Sequence, residues 1–462
     1  MDGKRSKTRG RSRQATLVWE GRGEAPDAEA KEIEPSMAAP TTESPARAGL
    51  MEEVCDRANL EIAWRRVRRN KGGPGVDGMT IDDTKVYLRE HWPTIRSQLL
   101  EGTYQPQPVK RVNLPKPDGG IRKLGVPSVV DRLIQQALLQ VLQPRWDPTF
   151  SEHSYGFRPG RSAHQAVAQA QRYVAEGYNV VVDLDLEKFF DRVQHDRLMA
   201  QVAARVSDKR VLRLIRAFLK AGVLEDGLVN PVEEGTPQGG PLSPFLSNVV
   251  LDELDQELTR RGHRFCRYGD DCNIYVRSHR AGERVMASVS RFLTKKLRLK
   301  VNETKSAVAR PEERQFLGFS FSNDGSERRI APKALTRFKK RVRDLTRRTK
   351  GVSLSQLIEE LASYLIGWRG YFGFCQTPRV LSYLDASIRR RLRAYLWWQW
   401  QNGRKRFKEL RRLGVPKFNA AVAAGSPTRC SRMSRHPAVQ MALRNHYFDK
   451  AGLPRLHADA LA

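Results

Sequence analysis

Residues 264–276 read Arg-Phe-Cys-Arg-Tyr-Gly-Asp-Asp-Cys-Asn-Ile-Tyr-Val, and no other stretch restricts the fold of this chain so tightly. Residues 265–268 and 272–276 are rich in aromatic and β-branched side chains. Gly269-Asp270 lies between them, and glycine in the first of two turn positions marks a type II′ hairpin. The pattern predicts a β-hairpin with Asp270 and Asp271 at its tip. Adjacent carboxylates raise each other's pKa, and a hard divalent cation such as Mg²⁺ removes that cost. An isolated Asp-Asp pair reads as a solvated turn, so a cation site requires a third carboxylate elsewhere.

Residues 178–186 supply a candidate. Val180, Val182, Leu184 and Leu186 share one face of a predicted strand, and Val181, Asp183 and Asp185 share the other. Acidic side chains in an apolar strand are costly without a partner. Parity alone admits Asp183 as well as Asp185. Phe189-Phe190-Asp191 closes the strand and leads into a helix.

Four glycine-rich loops punctuate the chain. The first, residues 70–78, ends a helix marked by Leu60, Ala63, Trp64 and Val67. The second, residues 115–120, turns between predicted strands 109–114 and 121–126, with Lys116 and Arg122 flanking it. The third, residues 154–161, carries Arg158 and Arg161 ahead of a Ser162–Gln165 capping box, a setting in which exposed arginines suit phosphate contacts. In the fourth, residues 234–244, Ser243 reads as an N-cap and Pro244 as the first helical residue. Leu246, Val250, Leu254 and Leu258 follow as a core-facing stripe. The glycines beside Gln238 imply close approach of a base pair or nucleotide, or else a tight turn.

The formal net charge is +31 and the pI about 10.3, which calls for a polyanionic partner. With no run of 18 apolar residues and no signal-peptide pattern, that partner is expected to be nucleic acid rather than a membrane. The five cysteines form no CxxC pair, so a reduced, cytoplasmic setting is expected. Residues 331–413 hold 21 Lys/Arg against 5 Asp/Glu on three amphipathic helices. Lys340 and Arg341 lie on the first, and Arg389, Arg390, Arg391 and Arg393 on the third, which makes a nucleic-acid clamp. Trp397, Trp398 and Trp400 are assigned to the core. Four segments follow: a disordered tail over 1–48, an α/β region over 49–326, basic helices over 327–413, and a basic C-terminal region over 414–462.

In combination and order, these motifs resemble the reverse transcriptase/maturase proteins of bacterial group II introns. Tyr268-Gly269-Asp270-Asp271 is similar to the family's Tyr-x-Asp-Asp box, and residues 185–191 to its first-carboxylate motif. Residues 235–244 resemble its Pro-Gln-Gly segment, and residues 115–120 and 154–161 its finger elements. The resemblance implies an α/β (α+β) right-hand polymerase, with fingers, a palm built on an antiparallel sheet, and an all-α basic thumb. It implies RNA-directed DNA synthesis with two Mg²⁺ ions held by Asp185, Asp270 and Asp271. By the same resemblance Lys305 protonates pyrophosphate, Lys116 and Arg122 hold the triphosphate of a dNTP, and Gln238 contacts the nucleotide. Phe190 rejects a 2′-hydroxyl. The partners implied are an RNA template with its DNA primer and the intron RNA, gripped by Arg158, Arg161, Lys340 and Arg341. Gly269 stands where the family usually has alanine, and residues 414–462 show no endonuclease cysteine-pair pattern. The alternatives are a domesticated enzyme of DNA repair or defence, a non-catalytic RNA-binding maturase, and an RNA-dependent RNA polymerase.

Overall fold

The alternation of residues 178–186 becomes the middle of a four-stranded antiparallel sheet. The computed structural model describes residues 49–115, 120–225, 228–230, 234–236 and 239–457. The tail over 1–48, Lys116 and Gln238 therefore lie outside the described residues. Ten strands are described: β1 (Val109–Pro115), β2 (Ile121–Val126), β3 (Val180–Leu184), β4 (Val223–Glu225), β5 (Leu228–Asn230), β6 (Arg264–Tyr268), β7 (Asp271–Val276), β8 (Ala307–Ala309), β9 (Phe319–Phe321) and β10 (Arg328–Ile330).

The central sheet runs β6-β7-β3-β8, with every neighbouring pair antiparallel. Val180, Val182 and Leu184 bury one face of β3 in the main apolar core, beneath the helix His279–Phe292. Helix Ala163–Ala175 packs on β6 and β7, and Tyr173 meets Tyr275 of β7 at 5.6 Å between ring centroids. The capping box expected at its start is present, with Ser162 and Gln165 each satisfying the other's backbone. Helix Ser243–Arg260 buries its stripe of Leu246, Val250, Leu254 and Leu258. Its start differs from expectation. Leu242 already has helical angles (φ −78°, ψ −29°), so Ser243 lies inside the first turn and is not the cap.

A second sheet has the order β2-β1-β4-β5. The β1–β2 hairpin forms as the sequence indicates, pairing Val112 with Leu124. The short hairpin β4–β5 adds to it through a parallel pairing of Val109 with Val223, which no pattern in the sequence announced.

The described chain forms two compact units. One comprises residues 49–341 with 375–379; the other comprises 342–374 with 380–457. The second unit is helical throughout, built on Leu354–Phe372, Pro378–Gln399 and shorter helices after them. Residues 414–457 belong to this unit rather than forming a region of their own. Leu357, Leu361 and Leu365 line its interior with Leu384, Ile388 and Leu392.

Several of the arginines counted toward the basic clamp are engaged within this unit. Arg389 is buried and ion-paired with Asp385 and Asp449, Arg391 donates to the Thr346 hydroxyl (2.6 Å), and Arg393 donates to the Leu443 carbonyl (2.8 Å). Each ties its helix to another part of the unit. Trp397 and Trp400 are core residues, whereas Trp398 is half exposed beneath the Arg348 guanidinium, contrary to its assignment to the core. Among the described residues no helix is long and apolar enough to cross a membrane.

Candidate active site

Tyr268 pairs with Asp271, which leaves Gly269 and Asp270 as the two turn residues. Gly269 has φ +65°, while Asp270 is not among the left-handed residues, as a type II′ turn requires. On the neighbouring strand Leu184 pairs with Cys272. One step further in that register, Asp185 comes opposite Asp271. Asp185 and the Asp270–Asp271 pair, distant in sequence, thus come to one end of the central sheet.

Asp185 is held from the far side. Asn302 Nδ2 donates to its Oδ2 at 3.0 Å, and Lys305 Nζ stands 3.6 Å from the same oxygen. Its backbone is clamped as well: its N–H donates to Ser306 Oγ (3.0 Å), and its carbonyl accepts from the Asn302 N–H (2.8 Å). Lys305 therefore stands beside the carboxylate it was grouped with from sequence. Asp183, the alternative that parity left open, is engaged elsewhere. Arg314 donates to its Oδ2 from Nε (2.9 Å) and Nη2 (2.6 Å), and the Asn273 amide nitrogen reaches its Oδ1 at 3.0 Å. Asp183 is thus a structural ion-pair partner of Arg314.

Beneath the turn lies a group that reading the sequence passed over. Arg267 is completely buried and uses all five of its N–H donors. Nε and Nη2 grip Asp255, Nη1 donates to Asn248 Oδ1 (2.9 Å) and to the Gly269 carbonyl (2.8 Å), and Nη2 also donates to Ser154 Oγ (2.8 Å). Burial disfavours the charge on Arg267, and Asp255 more than offsets this, so its pKa lies above the usual arginine value. The signal available in the sequence was an arginine between Cys266 and Tyr268 in the interior of a largely apolar strand. Burial also pushes the thiols of Cys266 and Cys272 up, which removes both as thiolate ligands or nucleophiles.

Residues 154–161 are riveted to this hairpin. Tyr155 N–H donates to the Arg267 carbonyl, and Arg267 N–H to the His153 carbonyl, both at 2.9 Å. Arg158, expected as an exposed phosphate contact, is instead buried. It donates to Asp147 and to the carbonyls of Ser151 and Ser154. The loop needs an internal cation to satisfy its converging carbonyls, and Arg158 is consumed by that task. Arg161 stays exposed, over the Tyr155 ring.

Phe190 sits on a short 3-10 turn, Phe189–Asp191, edge-on to Phe189 at 5.3 Å. Residues 234–236 dock on that turn. Thr236 N–H donates to the Phe190 carbonyl (2.6 Å), Gly235 N–H to the Val193 carbonyl (2.8 Å), and His195 Nε2 lies 2.6 Å from the Gly235 carbonyl. Gly239, at φ +133°, passes so close to β2 that a Cβ would stand 2.5 Å from the Gly125 carbonyl oxygen. Backbone crowding therefore accounts for that glycine without any nucleotide. Arg122 is half-buried on β2, opposite Leu114. Lys340 and Arg341 are exposed on helix Pro332–Leu345.

Residues 114–321 match the family model "Reverse transcriptase (RNA-dependent DNA polymerase)", and residues 335–414 match "Group II intron, maturase-specific domain". Protein YkfC of Escherichia coli K12 is 34% identical over 288 residues, covering 53% of this chain and 76% of YkfC. The chain belongs to the group II intron reverse transcriptase/maturase family. The intron-encoded protein LtrA of Lactococcus lactis is 36% identical over 207 residues, 45% of this chain but only 34% of LtrA. A putative COX1/OXI3 intron 1 protein of Saccharomyces cerevisiae is 32% identical over 203 residues, 24% of its length. The chain thus matches about a third of one of these intron-encoded relatives and about a quarter of the other. Within the reverse transcriptase segment lie β3, the Asp-Asp hairpin, Arg267, Asn302 and Arg314.

Proposed function

We propose that this chain extends a DNA primer on an RNA template, consuming dNTPs, and that it also binds group II intron RNA as a splicing cofactor. The observation that carries the first part is the register placing Asp185 beside the Asp270–Asp271 turn. Among the described residues no group of three or more His, Cys, Asp or Glu side chains stands close enough together to hold a metal ion as it is. The donor chemistry nonetheless fits Mg²⁺. All three candidates are carboxylates, half-buried at one sheet end, and both side-chain bonds to Asp185 go to Oδ2. Asp185, Asp270 and Asp271 would hold two such ions. When bound, these supply Lewis-acid activation of the primer 3′-hydroxyl and charge neutralisation at the leaving pyrophosphate.

The protein's own part is positioning. Asn302 and Ser306 fix Asp185, Arg267 fixes the turn through the Gly269 carbonyl, and Lys305 stands ready as a proton donor beside Asp185. Phe190, pinned by residues 234–236, is the side chain proposed to meet the sugar of the incoming nucleotide. In this reading residues 49–326 are fingers and palm, the helices after them are a thumb, and Lys116, Arg122 and Gln238 serve the nucleotide. A cytoplasmic setting accords with five free cysteines, four of them buried.

The test is primer extension by the full chain with Mg²⁺ and dNTPs on an RNA template, beside a splicing assay with group II intron RNA. Incorporation of rNTPs as readily as dNTPs, or no incorporation at all, defeats the polymerase reading. Nucleic-acid binding should weaken steeply with salt. Replacing Lys340 and Arg341 together by glutamine should lower the log–log salt slope by about two. The same change at Arg391 should leave that slope unaltered, since its guanidinium is spent on Thr346. Salt titrations followed by fluorescence anisotropy check both expectations.

A further inference from the structure

Phe157 has a left-handed backbone, φ +59°, although bulky L-residues rarely take that conformation. Strain of this kind persists only where the surroundings over-determine it, and it gathers at functional sites. The surroundings do so here. Gln143 Nε2 donates to the Phe157 carbonyl (3.0 Å), and Asn248 Nδ2 to the Gly156 carbonyl (2.8 Å). A Cβ on Gly156 would lie 2.3 Å from the Gly269 nitrogen, and the next residue, Arg158, is anchored to Asp147. All this effort holds an aromatic ring in the open. Phe157 is 41% exposed, its ring 5.9 Å from that of Tyr268. A Cβ on Gly269 would stand 2.9 Å from its Cε2, so the ring fills the place a methyl at position 269 would occupy.

We infer that Phe157 is a positioning contact for the terminal base pair of the primer–template duplex. The inference rests on the polymerase reading above. If Asp270 serves the primer 3′-hydroxyl, the nucleotide bearing that hydroxyl lies against the same turn. An exposed ring packed on residue 269 then presents an apolar face to it, and aromatic faces bind bases without regard to sequence. The absent side chain at Gly269 is the other half of the device, since it admits the ring.

Single-nucleotide extension by the full chain tests this with Phe157→Ala, Phe157→Tyr, Gly269→Ala and the Phe157→Ala/Gly269→Ala pair. Phe157→Ala should raise KM for primer–template about tenfold, with kcat within about twofold and only a small drop in melting temperature, because the ring is 41% exposed. Phe157→Tyr should restore the wild-type KM. Gly269→Ala should raise KM by displacing the ring, and should add nothing in the Phe157→Ala background. An unchanged KM in Phe157→Ala, a Tyr variant as impaired as Ala, or effects that multiply in the double variant would overturn the inference. Wild-type protein that extends no primer would instead mark the failure of the polymerase reading itself.

Discussion

Asp185→Asn is expected to suppress primer extension on the order of a thousandfold or more, about 4 kcal/mol of transition-state stabilisation, while the protein stays folded. The amide keeps the size of the carboxylate, and the backbone bonds to Asn302 and Ser306 do not involve the side chain. What is lost is a hard anionic donor and the partner of Lys305. The discriminating control is Asp183→Asn, two residues earlier on β3. That change weakens the paired bonds to Arg314 and should lower the melting temperature, yet extension should stay within about tenfold of wild type. Single-turnover extension beside thermal melting separates the two. Equal loss of activity in both variants would mean that strand integrity, not donor chemistry, explains the effect of residue 185.

Arg267→Met is the second large expectation. Removing one partner of a buried ion pair strands the other's charge, at about 3–5 kcal/mol. Asp255, fully buried with Arg267, would be that stranded charge. The more telling variant is Arg267→Met combined with Asp255→Leu, which removes both charges and should recover most of the lost stability. Activity should not return with it, because the Gly269 carbonyl would still lack its donor. Chemical denaturation followed by extension assays on the refolded double variant reads both quantities. Full recovery of both would reduce Arg267 to a packing residue.

Much of this architecture was legible from residue order because it rests on local rules. Alternation in residues 178–186 separated the wholly apolar face of β3 from the face carrying Asp183, and Gly269 specified the turn. Which of Asp183 and Asp185 is taken up by the arginine ion pair was not legible. It depends on Arg314, which reaches β3 only through the tertiary fold. The same limit explains the arginines. Composition counts Arg158, Arg389 and Arg391 as surface charge, whereas the fold uses each to satisfy buried carbonyls, hydroxyls or carboxylates. Short strands such as β4 and β5 carry too few residues for a period to show. Ser243 was misplaced by one residue because preference at a cap is weaker than the loop that delivers the chain to it.

The placement of β3 between β7 and β8 governs the order in which the molecule can be assembled. Both neighbours emerge from the ribosome long after β3 does, so the nascent strand waits with two open edges, each a template for mispairing. Until residues 307–309 have been synthesised the carboxylate end of the sheet lacks its outer wall. A chain truncated before that point should be both inert and prone to aggregate.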